Sequence, residues 1–466
     1  MKKFFCLICV CYITFSVFSQ NEDALFLSLD SCRNLAIKNN SKSKIADLQL
    51  DKIKFEKKAY FAEFFPKISA NGMYLLTSAT MNYNTRFDLS NTSLPGIIDN
   101  LPITIPPQYS GYLDMIYKSI GFDLDITIKP NNTFLVGAQF EQPIFWGGKI
   151  ITANRMAKMT LQLAEINKNR SNSEIIAKTD EAYWLLVKAT NLLEIAKNAN
   201  EILLFLSKEV DNGIELGMIS TNDKMKINSK ISESELNIRQ AENGIKLASM
   251  NLCHTIGINM LSEINPTDTL SENFPNSLST QQPDVSIRPE FSLLNKQLEI
   301  QKQQINLVRA DFLPQLGVTG GYNYINGLKL NDEKLFDSGS FMALFSLKIP
   351  LFNGLKGYNK INSAKVELKI AEMQTQDNIN LLQLEMQKSY NSLDEAFFAI
   401  QVQKKETKQA EENFRICKDR HELGFDSMAT LLEAQALLYQ AQSKFIETKT
   451  NFKIAESEYL KVTNGF

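Results

Sequence analysis

Histidine and cysteine are scarce in this sequence of 466 residues, which contains 2 histidines and 6 cysteines. Three of the cysteines lie near the start, and the other three are widely spaced without a CxxC pair; these are Cys6, Cys9, Cys11, Cys32, Cys253 and Cys417. Such spacing argues against a disulfide framework and against a zinc site. Two isolated histidines also leave little material for a catalytic triad. We therefore expect no metal, no cofactor and no enzymatic activity.

Excess charge and long apolar runs are lacking as well. Lysine and arginine number 50 against 52 aspartates and glutamates, a net charge of -2, so no basic face for nucleic acid is indicated. Beyond the first residues, no apolar stretch approaches the roughly 20 residues that a spanning helix needs. If the chain crosses a membrane, we expect it to do so as β-strands.

The first residues have the pattern of a secretory signal peptide. Lys2 and Lys3 precede an apolar run over residues 4–18, and Val17 and Ser19 suit a cleavage site before Gln20. We predict a signal peptide over residues 1–19. An N-terminal anchor helix is the alternative, but this run is short for one.

Two copies of one unit make up the rest of the chain. The segment PIFWGGK at residues 143–149 recurs as PLFNGLK at residues 350–356, an offset of 207 positions. Phe65-Pro66 matches Leu313-Pro314 at an offset of 248, so the first copy is longer by 41 residues. We predict a first repeat at residues 20–257 (helix, two strands, long helix, helix), a linker at residues 258–287 and a second repeat at residues 288–466.

Each copy contains two segments of alternating apolar residues, at 67–77 and 133–143 and again around 318–324 and 341–349. Their length of about 11 residues is that of a tilted transmembrane strand. The predicted membrane-facing residues are Tyr74, Phe134, Phe140, Tyr322, Phe341 and Phe345. Residues 78–132 and 326–339 are predicted to be loops. A soluble sheet packed on helices is the alternative, and the strand lengths and the leader disfavour it.

Four strands in lipid would leave unpaired backbone at two edges. The chain must then associate with copies of itself: three protomers would form a twelve-stranded barrel, and two an eight-stranded barrel filled by side chains.

Residues 149–212 and 356–420 lack proline and nearly lack glycine, which predicts two helices of about 100 Å each. Apolar and small residues at alternating steps of four and three indicate a left-handed coiled coil; examples are Ala182, Leu186, Leu203, Ile227, Ala434 and Phe452.

Each long helix is followed by a predicted turn with a left-handed glycine, Gly217 or Gly424, and an N-capping serine, Ser220 or Ser427. Capping does not explain the apolar side chains at these tips, which we interpret as a partner contact. The predicted docking tips are Leu216, Gly217, Met218, Leu423, Gly424 and Phe425.

The strand-exit motifs at 143–148 and 350–354, the strand entries Phe65-Pro66 and Leu313-Pro314, and the tip segment LLEAQ at 431–435 resemble the TolC-like outer-membrane efflux protein family. The resemblance covers nearly all of the chain after the leader. It implies an α+β membrane protein, a homotrimer whose twelve-stranded β-barrel (four strands per protomer) lies in outer-membrane lipid of a Gram-negative bacterium. The barrel would continue into a long α-helical coiled-coil tunnel in the periplasm. Implied partners are a periplasmic adaptor (membrane fusion) protein and an inner-membrane transporter.

The same resemblance places a periplasmic gate at the sixth and ninth positions after the tip glycines: Asp223, Lys226, Thr430 and Glu433. Three copies of Glu433 would favour cations, whereas solvated helix surface is the alternative. Asp426 departs from the family pattern, which has a basic residue there. A latch between Asp426 and Asp223 would be repulsive, so Lys224 or Lys226 would have to contribute.

The predicted function is the outer-membrane exit duct of a tripartite efflux or type I secretion system, which passively exports small molecules or polypeptides. An autonomous diffusion porin is one alternative, but a porin has no need of helices this long. A structural periplasmic coiled-coil protein is the other, and it leaves the alternating strands unexplained.

Overall fold

The computed structural model describes residues 25–87, 115, 122–215, 217, 220–270 and 284–463. The predicted signal peptide lies outside the described residues, as do residues 88–114 and 116–121 of the predicted long loop and residues 271–283 of the predicted linker. The helices are α1 (Leu29–Asn39), α2 (Ser41–Ala62), α3 (Lys149–Glu215), α4 (Thr221–Ile256), α5 (Pro289–Ala310), α6 (Lys356–Glu422) and α7 (Met428–Thr463). The strands are β1 (Leu25–Leu27), β2 (Lys67–Leu75), β3 (Met81–Phe87), β4 (Phe122–Trp146), β5 (Ile264–Pro266), β6 (Gln315–Leu330) and β7 (Glu333–Lys348).

Helix lengths repeat between the two halves of the chain. Helices α2 and α5 have 22 residues each, α3 and α6 have 67 each, and α4 and α7 have 36 each. The single helix predicted at the start of the first repeat is divided in two, because Asn40 adopts an extended backbone that separates α1 from α2. The Asn40 side chain donates to the carbonyl of Thr255 at 2.7 Å, which stabilises this break. Among the described residues, no helix combines the length and the apolar character needed to cross a membrane.

The chain forms two compact units. A helical unit comprises Met1–Phe55, Lys158–Gln301 and Leu368–Phe466, and a sheet unit comprises Glu56–Ala157 and Lys302–Glu367. Each unit therefore draws on both sequence repeats. The repeat boundaries at residues 257 and 288 remain predictions from the sequence.

The sheet unit contains one antiparallel sheet of order β2-β4-β6-β7, with β3 paired to the first part of β4. Two predictions were wrong here. Residues 326–339 are not a loop, because β6 and β7 continue to a tight turn at Asn331 and Asp332, whose φ angles are 52° and 67°. The long loop over residues 78–132 is also shorter than predicted, since β3 and the start of β4 occupy both of its ends. Backbone pairing extends past the apolar segments because it does not depend on side-chain hydropathy.

One face of this sheet carries all six predicted membrane-facing residues. Residues directly opposite each other in an antiparallel pair share a face. Tyr74 lies opposite Phe134, and Tyr322 lies opposite Phe341. Phe140 and Phe345 join the same face through Gly320 and Val318, their partners on β6. The other face carries more polar rows, including Lys67–Glu141–Thr319 and Ser69–Gln139–Gly321.

The helical unit has hydrophobic clusters at the predicted coiled-coil seam. Buried seam positions are Ala182, Leu186, Ala196, Leu203 and Val210 in α3, Ile227 and Leu252 in α4, and Ala434, Leu438, Phe452 and Val462 in α7. Because these positions recur at steps of three and four, each helix buries one continuous stripe. The predicted seam is therefore confirmed at these positions.

Two acids, the buried Asp180 and the partly buried Asp268, connect helix α1 to the rest of the helical unit. Asp180 of α3 accepts hydrogen bonds from Arg33 Nε at 2.7 Å and Arg33 Nη2 at 2.6 Å, and also from Ser457 of α7. Asp268 accepts from the Tyr183 hydroxyl at 2.7 Å and from the backbone N–H of Leu29 at 2.8 Å. Helix α1 is thus held by charge-assisted hydrogen bonds as well as by apolar packing.

Candidate functional site

The turn after α6 has the geometry that its glycine predicts. Gly424 adopts φ of 76°, its N–H donates to the carbonyl of His421 at 2.9 Å, and the Phe425 N–H donates to the carbonyl of Arg420 at 2.9 Å. This pair of bonds is a Schellman motif, which satisfies carbonyls left open at the helix end. Leu423 and Phe425 project into solvent beside Gly424. The second tip therefore presents two large apolar side chains on a rigid turn.

The turn after α3 begins in the same way. Gly217 adopts φ of 74°, and its N–H donates to the carbonyl of Ile214 at 2.9 Å. The other two predicted residues of this tip, Leu216 and Met218, lie outside the described residues. Ser220 then caps α4 by accepting a hydrogen bond from the Asn222 N–H at 3.2 Å. Both predicted glycine caps are confirmed by these φ angles. Glycine suits these positions because no residue with a Cβ adopts this backbone as readily.

A shared hydrophobic core joins the two helical hairpins near their tips. It contains Val210 of α3, Ile227 of α4 and Leu431 of α7, with Phe414 and Cys417 of α6 packed against it. Four helices thus meet in one cluster. The predicted gate residues of the first copy lie just before Ile227, and those of the second copy lie on either side of Leu431. The same hydrophobic core therefore positions both sets.

The gate residues of the first copy lie on the first turns of α4. Asp223 accepts a hydrogen bond from Lys226 at 3.1 Å, and Lys224 pairs with Asp211 of α3 at 2.5 Å. Both pairs are partly exposed, so each contributes little to stability. Asp223 and Lys226 neutralise each other, and Lys224 connects the two helices of the hairpin.

The gate residues of the second copy differ from each other in their roles. Thr430 belongs to the helix cap, since its N–H donates to Ser427 Oγ at 3.2 Å and its hydroxyl lies 3.0 Å from the same oxygen. Glu433 is exposed on the first turns of α7. Of these two gate residues, Glu433 is therefore the one that presents a charge to solvent.

Asp426 has a partner that the sequence reasoning missed. Arg420 donates to both carboxylate oxygens of Asp426, at 2.9 and 3.1 Å, and the His421 ring nitrogen Nδ1 lies 2.8 Å from the Asp426 carbonyl. The hydrogen bond to Asp426, and then its charge, raise the pKa of the Arg420 guanidinium. Asp426 is thus paired within its own turn. An arginine six residues before an aspartate, across a glycine turn, was the signal available in the sequence.

Comparisons with known proteins agree with this architecture. The family model described as Outer membrane efflux protein matches residues 287–465. The chain is 19% identical over 444 residues to the probable efflux pump outer membrane protein TtgC of Pseudomonas putida, covering 92% of this chain and 81% of that protein. It superposes on the solved structure of CusC with a TM-score of 0.71 at 14% identity, covering 95% of this chain and 94% of the other. The open state of the MtrE outer membrane channel of Neisseria gonorrhoeae gives a TM-score of 0.68 at 14% identity, covering 94% and 88%.

The comparisons therefore define the class of fold: this chain has the α+β fold of the solved outer-membrane channel MtrE and of CusC. Residues 287–465 match the outer membrane efflux protein family, and the predicted family resemblance and α+β fold are confirmed.

Proposed function

We propose that this chain is the exit duct of a tripartite efflux or type I secretion system, through which cargo passes passively to the outside. The function of an outer-membrane efflux channel is common to the family model and the relative TtgC. The observation that carries the finer proposal is the TolC-like channel fold over 95% of the chain. Energy would come from an inner-membrane transporter, because nothing in a duct of this kind performs chemistry.

A homotrimer is the assembly that we propose. Strands β2 and β7 form the two ends of the path through the sheet, and one face of that sheet is apolar. Open sheet edges are not tolerated in hydrocarbon, so strands from other copies must complete the pairing. Three copies at four strands each would form a twelve-stranded barrel, with Tyr74, Phe134 and Phe341 among the lipid-facing residues.

The tips are the proposed docking sites for a periplasmic adaptor protein. Support comes from Leu423 and Phe425, which are large, apolar and exposed on either side of a rigid glycine turn. Exposed apolar groups of this kind mark interaction sites more often than free surface. We assign the equivalent role in the first copy to Leu216, Gly217 and Met218.

The proposed periplasmic gate consists of Asp223, Lys226, Thr430 and Glu433. Support is strongest for Glu433, which is exposed, and weakest for Thr430, whose backbone N–H donates to the capping hydroxyl of Ser427 and whose own hydroxyl lies beside it. In a trimer, three Glu433 carboxylates would form a ring that favours cations in a narrow pore.

Glu433→Gln should reduce cation selectivity in planar-bilayer recordings. Glu422→Gln on α6 is the matched exposed control. Equal selectivity in the two variants would contradict the gate assignment.

Gene deletion separates the exit duct from its alternatives. Loss of a duct should produce sensitivity to exported compounds or failure to secrete a polypeptide, loss of a porin should reduce nutrient uptake, and loss of a structural protein should affect the envelope alone. Partner identity is tested with a photo-crosslinking residue at Phe425 and, as control, at exposed Lys388 in the middle of α6. Capture of a coiled-coil adaptor from Phe425 alone supports the proposal, and capture of no adaptor in cells that export normally contradicts it.

A further inference from the structure

A row of three lysines crosses the sheet unit beside the turn between β6 and β7. Lys129 of β4 lies directly opposite Lys329 of β6, and Lys329 lies directly opposite Lys334 of β7. Residues directly opposite each other share a face and lie close together. Like charges in such positions destabilise a sheet, so the row lowers stability unless an anion compensates it.

One acid in the turn compensates part of this charge. Asp332 accepts a hydrogen bond from Lys129 at 2.6 Å. That bond is the largest cause that lowers the pKa of the Asp332 carboxyl, and the charge of Lys329 adds to the effect. Among the described residues, Lys329 has no ion-pair partner of its own. Lys129 and Lys329 therefore share one carboxylate, which leaves an excess of positive charge even before Lys334 is counted.

The other described acids near the row do not remove this excess. Glu333 lies opposite Leu330, one row along, and therefore on the other face. Asp125 shares the face of Lys129 but is four residues away along β4, which is about 13 Å. The pair of Lys129 with Asp332 is itself exposed, at 37% and 71%, and such a pair contributes little. An anionic group can therefore join the row at small cost.

Two register shifts determine the face on which the lysines lie. Ile325 is three positions from Tyr322 in β6 and therefore belongs to the polar face. Between Ile325 and Lys329, β6 has one extra residue at the first shift and β7 has one at the second. Two residues of a bulged strand lie opposite one residue of its partner, so each bulge reverses the alternation of its own strand. Lys329 therefore shares the face of Tyr322 and Phe341, which is the face of the predicted membrane-facing residues.

The lysine row lies just beyond the aromatic residues of that face. Tyr74 and Phe134 form the aromatic row nearest to the turn, and Phe134 lies opposite Asn326. Lys329 is three residues farther along β6, which is about 10 Å at about 3.3 Å per residue. Aromatic girdles mark the edges of the apolar band of membrane barrels, and lipid headgroups lie outside that band. The lysines are therefore at the level expected for lipid phosphates.

A neighbouring copy in the proposed trimer would leave this row accessible. Copies would join at the edges of the sheet through backbone hydrogen bonds, and such pairing leaves both faces uncovered. Lys129 and Lys329 also lie on β4 and β6, which are interior strands of the sheet. The argument from charge therefore does not depend on the edge strand.

We propose that the row of Lys129, Lys329 and Lys334 binds the phosphate groups of membrane lipid on the outer surface of the barrel. The proposal rests on the proposed function, because this face would meet lipid only in a barrel assembled in the membrane. A lysine ammonium binds phosphate as a point charge, and several lysines near an anionic membrane surface add their attractions. Bound phosphates would fix the depth of the sheet in the membrane and would relieve the repulsion within the row.

Lipid binding by the full chain in a neutral detergent tests the proposal. The probes are phosphatidic acid and diacylglycerol with the same acyl chains and the same fluorescent label, so that they differ in the phosphate alone, and binding is followed by fluorescence anisotropy. We expect saturable binding of phosphatidic acid, with a half-saturation concentration at least fivefold higher in Lys129→Gln/Lys329→Gln. The variant Lys129→Arg/Lys329→Arg should bind like the original chain, because arginine keeps the charge.

The matched control, Lys67→Gln/Lys348→Gln, removes two exposed lysines at the other end of the same sheet and should leave the half-saturation concentration unchanged. Equal values in the two glutamine variants, or equal binding of the two lipids, would overturn the proposal. Inorganic phosphate is added as a competitor. If it displaces the probe as well as the same concentration of unlabelled phosphatidic acid does, the row binds free phosphate and the lipid assignment is wrong.

Channel conductance in planar bilayers is measured on the same protein. Conductance without phosphate-dependent lipid binding rejects the lysine site and leaves the duct intact, whereas absence of conductance rejects the duct itself.

Discussion

Replacing Asp180 by asparagine tests the buried ion pair that holds helix α1 in the helical unit. The Asp180 side chain is 1% exposed and lies 2.6 Å from Arg33 Nη2. The hydrogen bond to Asp180 is the largest cause that raises the pKa of Arg33. The guanidinium stays charged when this partner is removed, because an arginine side chain is protonated at neutral pH even without one. Asparagine has almost the same shape, but it leaves this partly buried charge without its counter-ion.

Removal of one partner from a buried ion pair costs about 3–5 kcal/mol of stability. The lower end applies here, because Arg33 is 26% exposed and has a second acidic neighbour, Asp30, at 3.1 Å. We therefore expect a loss of about 3 kcal/mol, which corresponds to a fall in Tm of roughly 6 °C for a large domain.

The assay is thermal unfolding followed by far-ultraviolet circular dichroism, at one scan rate and in one detergent. Asp30→Asn is the matched control, because Asp30 pairs with the same arginine but is 84% exposed. Its effect should stay below about 0.5 kcal/mol. Equal falls in Tm for the two variants would refute the reasoning that burial, rather than charge pairing as such, makes Asp180 important.

Three further predictions follow from single residues. Burial raises the pKa of the Cys32 thiol from 9.0 to about 12, so the unfolded state loses its proton first as pH rises. The free energy of unfolding obtained from urea titrations should be constant below about pH 9 and should then fall by at most about 1.4 kcal/mol per pH unit, less steeply in Cys32→Ala. Gly321→Ala would place its Cβ 2.7 Å from the backbone carbonyl oxygen of Ala138, whereas in Gly72→Ala the nearest atom is 3.7 Å away, so only the first should lower the yield of folded protein in gel-shift assays. Gly424→Val should reduce adaptor crosslinking, because φ of 76° costs a β-branched residue about 1–2 kcal/mol, while Gly424→Asn should not; normal export and adaptor affinity in the valine variant would remove the docking assignment.

Much of this fold is local in origin and could be predicted from the sequence. The long helices follow from stretches without proline, and their ends follow from Gly217 and Gly424, whose left-handed backbone needs no distant partner. The shared face of Tyr74, Phe134 and Tyr322 follows from a period of two, which every strand imposes. Internal duplication allowed each of these predictions to be checked against a second copy.

Contacts between distant residues decided the rest. No local pattern indicates that Asp180 would be buried against Arg33, which lies 147 positions away, or that β6 and β7 would continue to the turn at Asn331. One extra residue in β4 relative to β6 moves Trp146 to the polar face, although alternation along the sequence points it to the apolar one. Propensity and periodicity act within a few residues, so they can be read from the sequence. Burial and register depend on which segment of the chain lies opposite, and only the folded structure specifies that segment.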